Sequence, residues 1–171
     1  MAKKKAKFPL SKTHPKLAKE AHGWDPSKFS RGLKNRMEWK CKLGHIYKSF
    51  ISDCALKGSG CPYCSGNKVL SGFNDLETTH PNLIKEANGW DPKTKSAGSG
   101  KTVSWKCVSG HVWLASPQSR SLHKTNCPYC SGNKVLQGFN DLATTHPIIA
   151  SQAINWDPSK LSFGSHKNVT W

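Results

Sequence analysis

The sequence contains no run of about 18 apolar residues, which excludes a helix that spans a membrane. Acidic residues are scarce. Ten Asp and Glu stand against 26 Lys and Arg, for a formal net charge of +16, so an acidic solvating protein is excluded and a polyanionic partner is favoured. The few acids are scattered singly, and no two form a carboxylate pair spaced for catalysis. Neither a nucleophile motif nor a phosphate-cradling Gly loop occurs. The lysine-rich start, Met1-Ala2-Lys3-Lys4-Lys5-Ala6-Lys7, is not followed by the apolar segment of a secretory signal. The absences point to a non-enzymatic protein with no membrane partner, and a monomer is expected. They place it inside the cell in a reducing compartment: cytoplasm or nucleoid, or the nucleus or a plastid in a eukaryote.

What is present is a repeat of 66 residues. Trp-Asp-Pro recurs at 24–26, 90–92 and 156–158, and Thr-His-Pro at 13–15, 79–81 and 145–147. Trp39, Trp105 and Trp171 keep the same interval, and the ten residues 61–70 reappear unchanged at 127–136. The array reads as a basic arm (1–7), two complete modules (8–70 and 71–136) and a partial third repeat (137–171). In the partial repeat a further ligand Cys would fall two residues beyond Trp171.

Within a unit, Thr79 is expected to N-cap a short helix with Pro81 in its first turn, Leu83, Ile84, Ala87 and Trp90 forming one face. Gly89, matched by Gly23 and Asn155, is expected to end it in the left-handed conformation. Val103 and Trp105 alternate with polar residues as a strand does, and Val112 and Leu114 supply the return strand. His14, His80 and His146 read as helix-start residues bonded locally. Asp25, Asp91 and Asp157 read as turn residues. The Trp24/Trp39 and Trp90/Trp105 pairs read as core. Units this small, rich in Gly, Pro and Lys, need a staple.

The staple is a metal. Cys41-x3-His45 with Cys61-x2-Cys64, and Cys107-x3-His111 with Cys127-x2-Cys130, lie in register, each set giving three thiolates and one imidazole, the closed tetrahedral set expected of structural zinc. Two Zn2+ per chain are expected. Gly44 and Gly110 before the His, and Pro62 and Pro128 inside the Cys pair, supply tight turns. Disulfides are the alternative, and they suit secreted proteins. Cys54, whose counterpart is Arg120, falls outside the ligand set and reads as a free, partly buried thiol.

The string Trp-Lys-Cys-x-x-Gly-His-x-[Tyr/Trp], followed by Cys-Pro-Tyr-Cys, Asn-Asp-Leu, Thr-His-Pro and Trp-Asp, resembles the tandem "probable zinc-ribbon" repeats. These occur in bacterial, phage and algal proteins, some of which carry a very-short-patch-repair-like nuclease domain. The resemblance covers nearly the whole chain. It implies small α+β zinc-stabilised modules in tandem, each a β-hairpin plus zinc knuckle of ribbon or treble-clef type with a short helix. It also implies a nucleic-acid-binding role and the eight metal ligands named above. The family's Arg matches Arg120 but is Cys54 in the first unit, and Asn-Asp-Leu matches at 74–76 and 140–142, whereas the first unit has Phe8-Pro9-Leu10. Ribbon and treble clef stay open, with Ser65-Gly66-Asn67-Lys68 reading as a turn and tilting toward a ribbon.

Charge is graded along the chain. Residues 1–70 hold 16 Lys and Arg against 4 Asp and Glu, a net of +12; residues 71–136 hold 8 against 4, and residues 137–171 hold 2 against 2. The function expected is nucleic-acid binding, DNA favoured over RNA, through phosphate contacts led by the first module. The arm, Lys3, Lys4, Lys5 and Lys7, is expected to order on binding, joined by Arg31, Lys34, Arg36, Lys40, Lys42 and Lys48, with Lys106 and Arg120 in the second module. Tyr47 and Trp113 are the stacking candidates. The alternatives are a zinc-stabilised scaffold for protein partners, or the recognition part of a longer nuclease.

Overall fold

A computed structural model describes residues 8–171. The chain divides into two compact units, residues 1–70 and 71–171. The expectations for Lys3, Lys4, Lys5 and Lys7 lie outside the described residues.

In the first unit, two helical turns, α1 (Leu10–Thr13) and α2 (Pro15–Ala18), precede an antiparallel hairpin of β1 (Arg36–Lys40) and β2 (Ile46–Phe50). Met37 and Trp39 face inward, and Arg36 and Lys40 outward, the period-two alternation that a hairpin with one buried face requires. Trp39 lies opposite Tyr47 and Glu38 opposite Lys48. Residues 20–24 run along the open side of β1. The His22 amide and the Trp24 indole both donate to the Glu38 carbonyl, at 3.0 and 2.6 Å. Trp24 then meets the fully buried Trp39 edge-on at 5.0 Å. Asp25 accepts from the Ser27 amide at 2.9 Å, the turn-forming bond expected of it, and Pro26 opens a single 3₁₀ turn.

The second unit repeats this plan with β3 (Val103–Lys106), β4 (Val112–Ala115) and the edge-on pair Trp90/Trp105. Its helix start differs from the expectation. Asp75, not Thr79, is the N-cap of α4 (Leu76–Thr79), accepting from the Thr78 amide at 2.9 Å, the Thr78 hydroxyl at 2.8 Å and the Gly72 amide at 2.6 Å. The Thr79 hydroxyl donates back to the Asp75 carbonyl at 2.7 Å. Pro81 excludes His80 from helical geometry (φ −138°, ψ 63°), so the expected continuous helix breaks and Pro81–Glu86 form 3₁₀ turns. The ring nitrogen of His80 bonds the neighbouring Thr79 hydroxyl at 3.0 Å, a local role repeated at His14 and His146. Gly89 does take a left-handed φ of 74° and Asn155 one of 62°, but each sits past the last helical turn and aims the following Trp rather than capping the helix.

The first unit's Phe8-Pro9-Leu10 still starts a helical turn, though Pro9 offers no side-chain cap. What holds it is a tether shared by all three repeats: the amides of Leu10, Leu76 and Leu142 donate to the carbonyls of Phe29, Lys95 and Leu161 at 2.7–2.8 Å. Short helices after each hairpin, α3 (Ile51–Leu56) and α5 (Pro117–Ser121), were not expected. The signal for α5 was Ser116-Pro117, where the Ser hydroxyl accepts from the Ser119 amide and Pro occupies the first position.

The partial repeat belongs to the second unit and forms α6 (Leu142–Thr145), capped by Asp141, and α7 (Pro147–Ala150). The residues leading to Trp171, which match β1 and β3 by the repeat interval, form no strand, because no return strand pairs with them. Trp171 still meets Trp156 edge-on at 5.1 Å yet is 50% exposed, where Trp39 and Trp105 are fully buried. The partial repeat meets the second module through the loop ahead of α6. There the Asn140 side chain donates to the Tyr129 and Lys134 carbonyls, both at 2.8 Å, and Phe139 lies against His111 at 4.2 Å.

Candidate metal centre

Each hairpin turn is a knuckle. After β1, the Cys41 amide donates to the His45 carbonyl, and Gly44, at φ +85°, turns the chain so that both side chains point to one side. Cys61 and Cys64 sit in a second tight turn, closed by the Ser65 amide on the Cys61 carbonyl and by the Lys68 amide on the Pro62 carbonyl. Residues 107–111 and 127–134 repeat both turns bond for bond.

These turns bring the four donor atoms together. Cys41 Sγ is 3.5 Å from His45 Nδ1 and 3.7 Å from Cys64 Sγ, while Nδ1 lies 3.3 Å from Cys64 Sγ and 3.8 Å from Cys61 Sγ. In the second unit the same distances are 3.5, 3.8, 3.3 and 3.8 Å. Zinc bonds of about 2.3 Å to sulfur and about 2.0 Å to nitrogen require tetrahedral edges near 3.5–3.8 Å. The donor sets Cys41, His45, Cys61, Cys64 and Cys107, His111, Cys127, Cys130 therefore fit two zinc ions. The sulfurs are much too far apart for disulfides, whose bond is about 2.05 Å, and every cysteine is free. All four ligand positions come from the chain, so each centre is closed and structural.

The thiols differ in their electrostatics. Desolvation pushes Cys41 up, but the amides of His45 and Leu43 and the adjacent thiols outweigh it and hold Cys41 below its ordinary value. Cys107 behaves alike, through the amides of His111 and Ser109. Desolvation and then the neighbouring Cys61 and Cys41 push Cys64 up to about 12, and the corresponding causes push Cys130 up to about 11. Three thiolates thus crowd one another unless a cation joins them, and metal binding at neutral pH must displace protons. Protons compete for the ligand form, so zinc affinity is expected to rise from pH 6 to pH 8. Competition titrations against a chromophoric chelator check this; an affinity that does not change with pH contradicts it.

The centres rest on the buried cores. Cys61 packs with Leu10, Trp39, Tyr47, Ile51 and Cys54, and Cys127 with Leu76, Trp105 and Trp113. Tyr63 and Tyr129 meet the ligand imidazoles edge-on at 5.9 and 5.7 Å. Cys54 is the buried free thiol expected, on α3 and outside the ligand group; burial raises its pKa, which leaves it inert.

Of the expected nucleic-acid contacts, Arg31, Lys34, Arg36, Lys40, Lys42, Lys48 and Lys106 are exposed. Three others are not surface groups. Arg120 is 4% exposed, 2.6 Å from Glu86, with its guanidinium over the rings of Trp105 (4.8 Å) and Trp113 (5.0 Å). It is a core cation, because the groove between the two Trp rings and the Glu86 carboxylate hold it inside. Tyr47 and Trp113, expected as stacking platforms, are buried too, because they are the cross-strand partners of Trp39 and Trp105 and point into the core. Strand alternation, counted outward from those Trp residues, was the signal that could have placed them there.

A family model described as "Probable Treble clef zinc finger domain" matches residues 17–67 and again 83–133, more than half of the 171 residues. Each match takes in one complete set of four ligands. The second Cys pair lies in a turn, with no helix beginning at it among the described residues. No curated protein matches the chain.

Proposed function

The chain belongs to the family described as "Probable Treble clef zinc finger domain", and from that premise we propose that it is a non-enzymatic nucleic-acid-binding protein, its first module leading through the phosphate backbone. The observation that carries this reading is where the charge lies on two otherwise matching modules. Residues 1–70 have a net charge of +12 and residues 71–171 a net of +4. In the first module Lys28, Lys48 and Lys57 pair with Asp25, Glu38 and Asp53. Among the described residues Arg31, Lys34, Arg36, Lys40 and Lys42 make no ion pair, and all five are exposed. Unneutralised cations clustered on a small rigid frame repel one another, and a polyanion relieves that repulsion by releasing its own counterions. Lys40 and Lys42 flank Cys41, so the metal centre fixes two of these charges in place. Duplex DNA is the favoured target. Six thiolate ligands per chain also suit a reducing compartment.

No helix is long and apolar enough to cross a membrane among the described residues. A partner protein is the second reading, and salt dependence separates the two. Fluorescence anisotropy with labelled duplex DNA is expected to give a slope of log K against log salt of roughly −4 to −5, about −0.9 for each of five phosphate contacts. Removing residues 1–7 lowers the slope with both zincs retained, and a fragment of residues 71–171 binds far more weakly. Equal affinity and slope for that fragment overturn the proposal.

A further inference from the structure

The two complete modules share their metal centres and their edge-on Trp pairs, but beside the hairpin they differ in charge. In the first module an open cleft of about 540 Å³ is bounded by His22, Gly23 and Trp24 on one side and by Arg36, Glu38 and Lys48 on the other. Arg36, Glu38 and Lys48 point to the outward face of the sheet. Glu38 is directly opposite Lys48, so Arg36 and Lys48 are diagonal neighbours across the two strands. Such neighbours are about 7–8 Å apart, close enough for both side chains to reach one tetrahedral anion. The wall facing them is fixed, because the His22 amide and the Trp24 indole both bond the Glu38 carbonyl.

The same positions in the second module are Asn88, Thr102, Ser104 and Leu114. Both cations are gone, and the Asn88 amide donates to the Ser104 hydroxyl at 3.0 Å, a neutral bond where the first module has a charged opening. The scaffold therefore folds with or without these charges, and they are not needed for its architecture.

We propose that this cleft seats one backbone phosphate of a nucleic acid, with Arg36 and Lys48 each donating to a non-bridging oxygen. The proposal rests on the nucleic-acid reading above and gives it a specific site. The charges match. Two cations and the Glu38 carboxylate leave a formal +1, the complement of one phosphodiester rather than of a free dianionic phosphate. Lys48 is 3.4 Å from Glu38 and both are exposed, so the ion pair is weak and Lys48 can turn to the phosphate at small cost. Arg36, without an ion pair among the described residues, is free to give a forked contact.

The test uses the full, zinc-loaded chain and three double variants. Arg36→Thr with Lys48→Leu installs the second module's residues. Lys16→Gln with Lys19→Gln removes the same charge elsewhere on the first module. Thr102→Arg with Leu114→Lys builds the pair into the second module. Binding to labelled duplex DNA is read across salt, and zinc content confirms that each variant is folded. Arg36→Gln, which leaves the Lys48–Glu38 pair intact, is the milder companion should the first variant lose metal.

The cleft variant is expected to lose at least tenfold in affinity and to flatten the salt slope by roughly 0.9, one phosphate's worth. The Lys16/Lys19 variant should lose threefold or less, and the second-module variant should gain. Equal losses in the first two variants overturn the cleft while leaving nucleic-acid binding intact. No binding by the parent chain to DNA or RNA overturns both.

Discussion

Cys61→Ser leaves one zinc per chain where the parent holds two, and it unfolds the first module while the second stays folded. Cys61 is buried in the first unit's core and supplies one of the four donors of that unit's centre. Structural zinc contributes about 10–16 kcal/mol in small finger modules. An ordinary domain has a net stability of only about 5–15 kcal/mol. Six buried side chains, Cys61 among them, make up that core. A core of that size is too small to replace the metal. Elemental analysis and far-UV circular dichroism read the two effects together. Cys54→Ser is the control, since Cys54 lies outside the ligand group, and it keeps both zincs. A Cys61→Ser protein that still carries two zincs contradicts the assignment of ligands.

Arg120→Ala is the second large effect. Deleting the side chain leaves the Glu86 carboxylate without its partner and opens a cavity between Trp105 and Trp113. Breaking a buried pair from one side costs about 3–5 kcal/mol; Glu86 keeps some access to water, so a loss of about 3 kcal/mol is expected. Arg120→Met, which fills the same groove without a charge to desolvate, is expected to stay within about 1–2 kcal/mol of the parent. Denaturant titration of the zinc-loaded chain, followed by Trp fluorescence, measures both. Equal losses in the two variants would mean that charge, not packing, dominates at this position.

Arg120 also shows where the sequence stops speaking. The metal centres were legible because two copies repeat the same Cys and His spacing, and a knuckle's chemistry is local. The hairpins were legible from alternation about Trp39 and Trp105. Burial of a cation was not, because it depends on Glu86, which comes from a distant turn and meets Arg120 only after folding. The first unit keeps the acid, as Glu20, but carries Tyr47 and Cys54 where the second has Trp113 and Arg120, a paired difference that becomes interpretable once the contact is seen. The helix start was placed one turn too late for a local reason. Thr79-His80-Pro81 resembles a capped helix start, yet Asp75 captures the amide of Thr78 first, and Pro81 then breaks the helix that Asp75 begins. The unformed third strand has the opposite cause. Its residues match those of β1 and β3, but a strand needs a partner, and pattern alone supplies none.

X-ray absorption at the zinc edge, on freshly purified full chain with its zinc content measured in parallel, tests most directly whether each module is built on its own Cys3His centre. The result expected is two zincs per chain, each with three sulfurs at about 2.3 Å and one nitrogen at about 2.0 Å. Four sulfurs per zinc, or fewer than two zincs per chain, would contradict it.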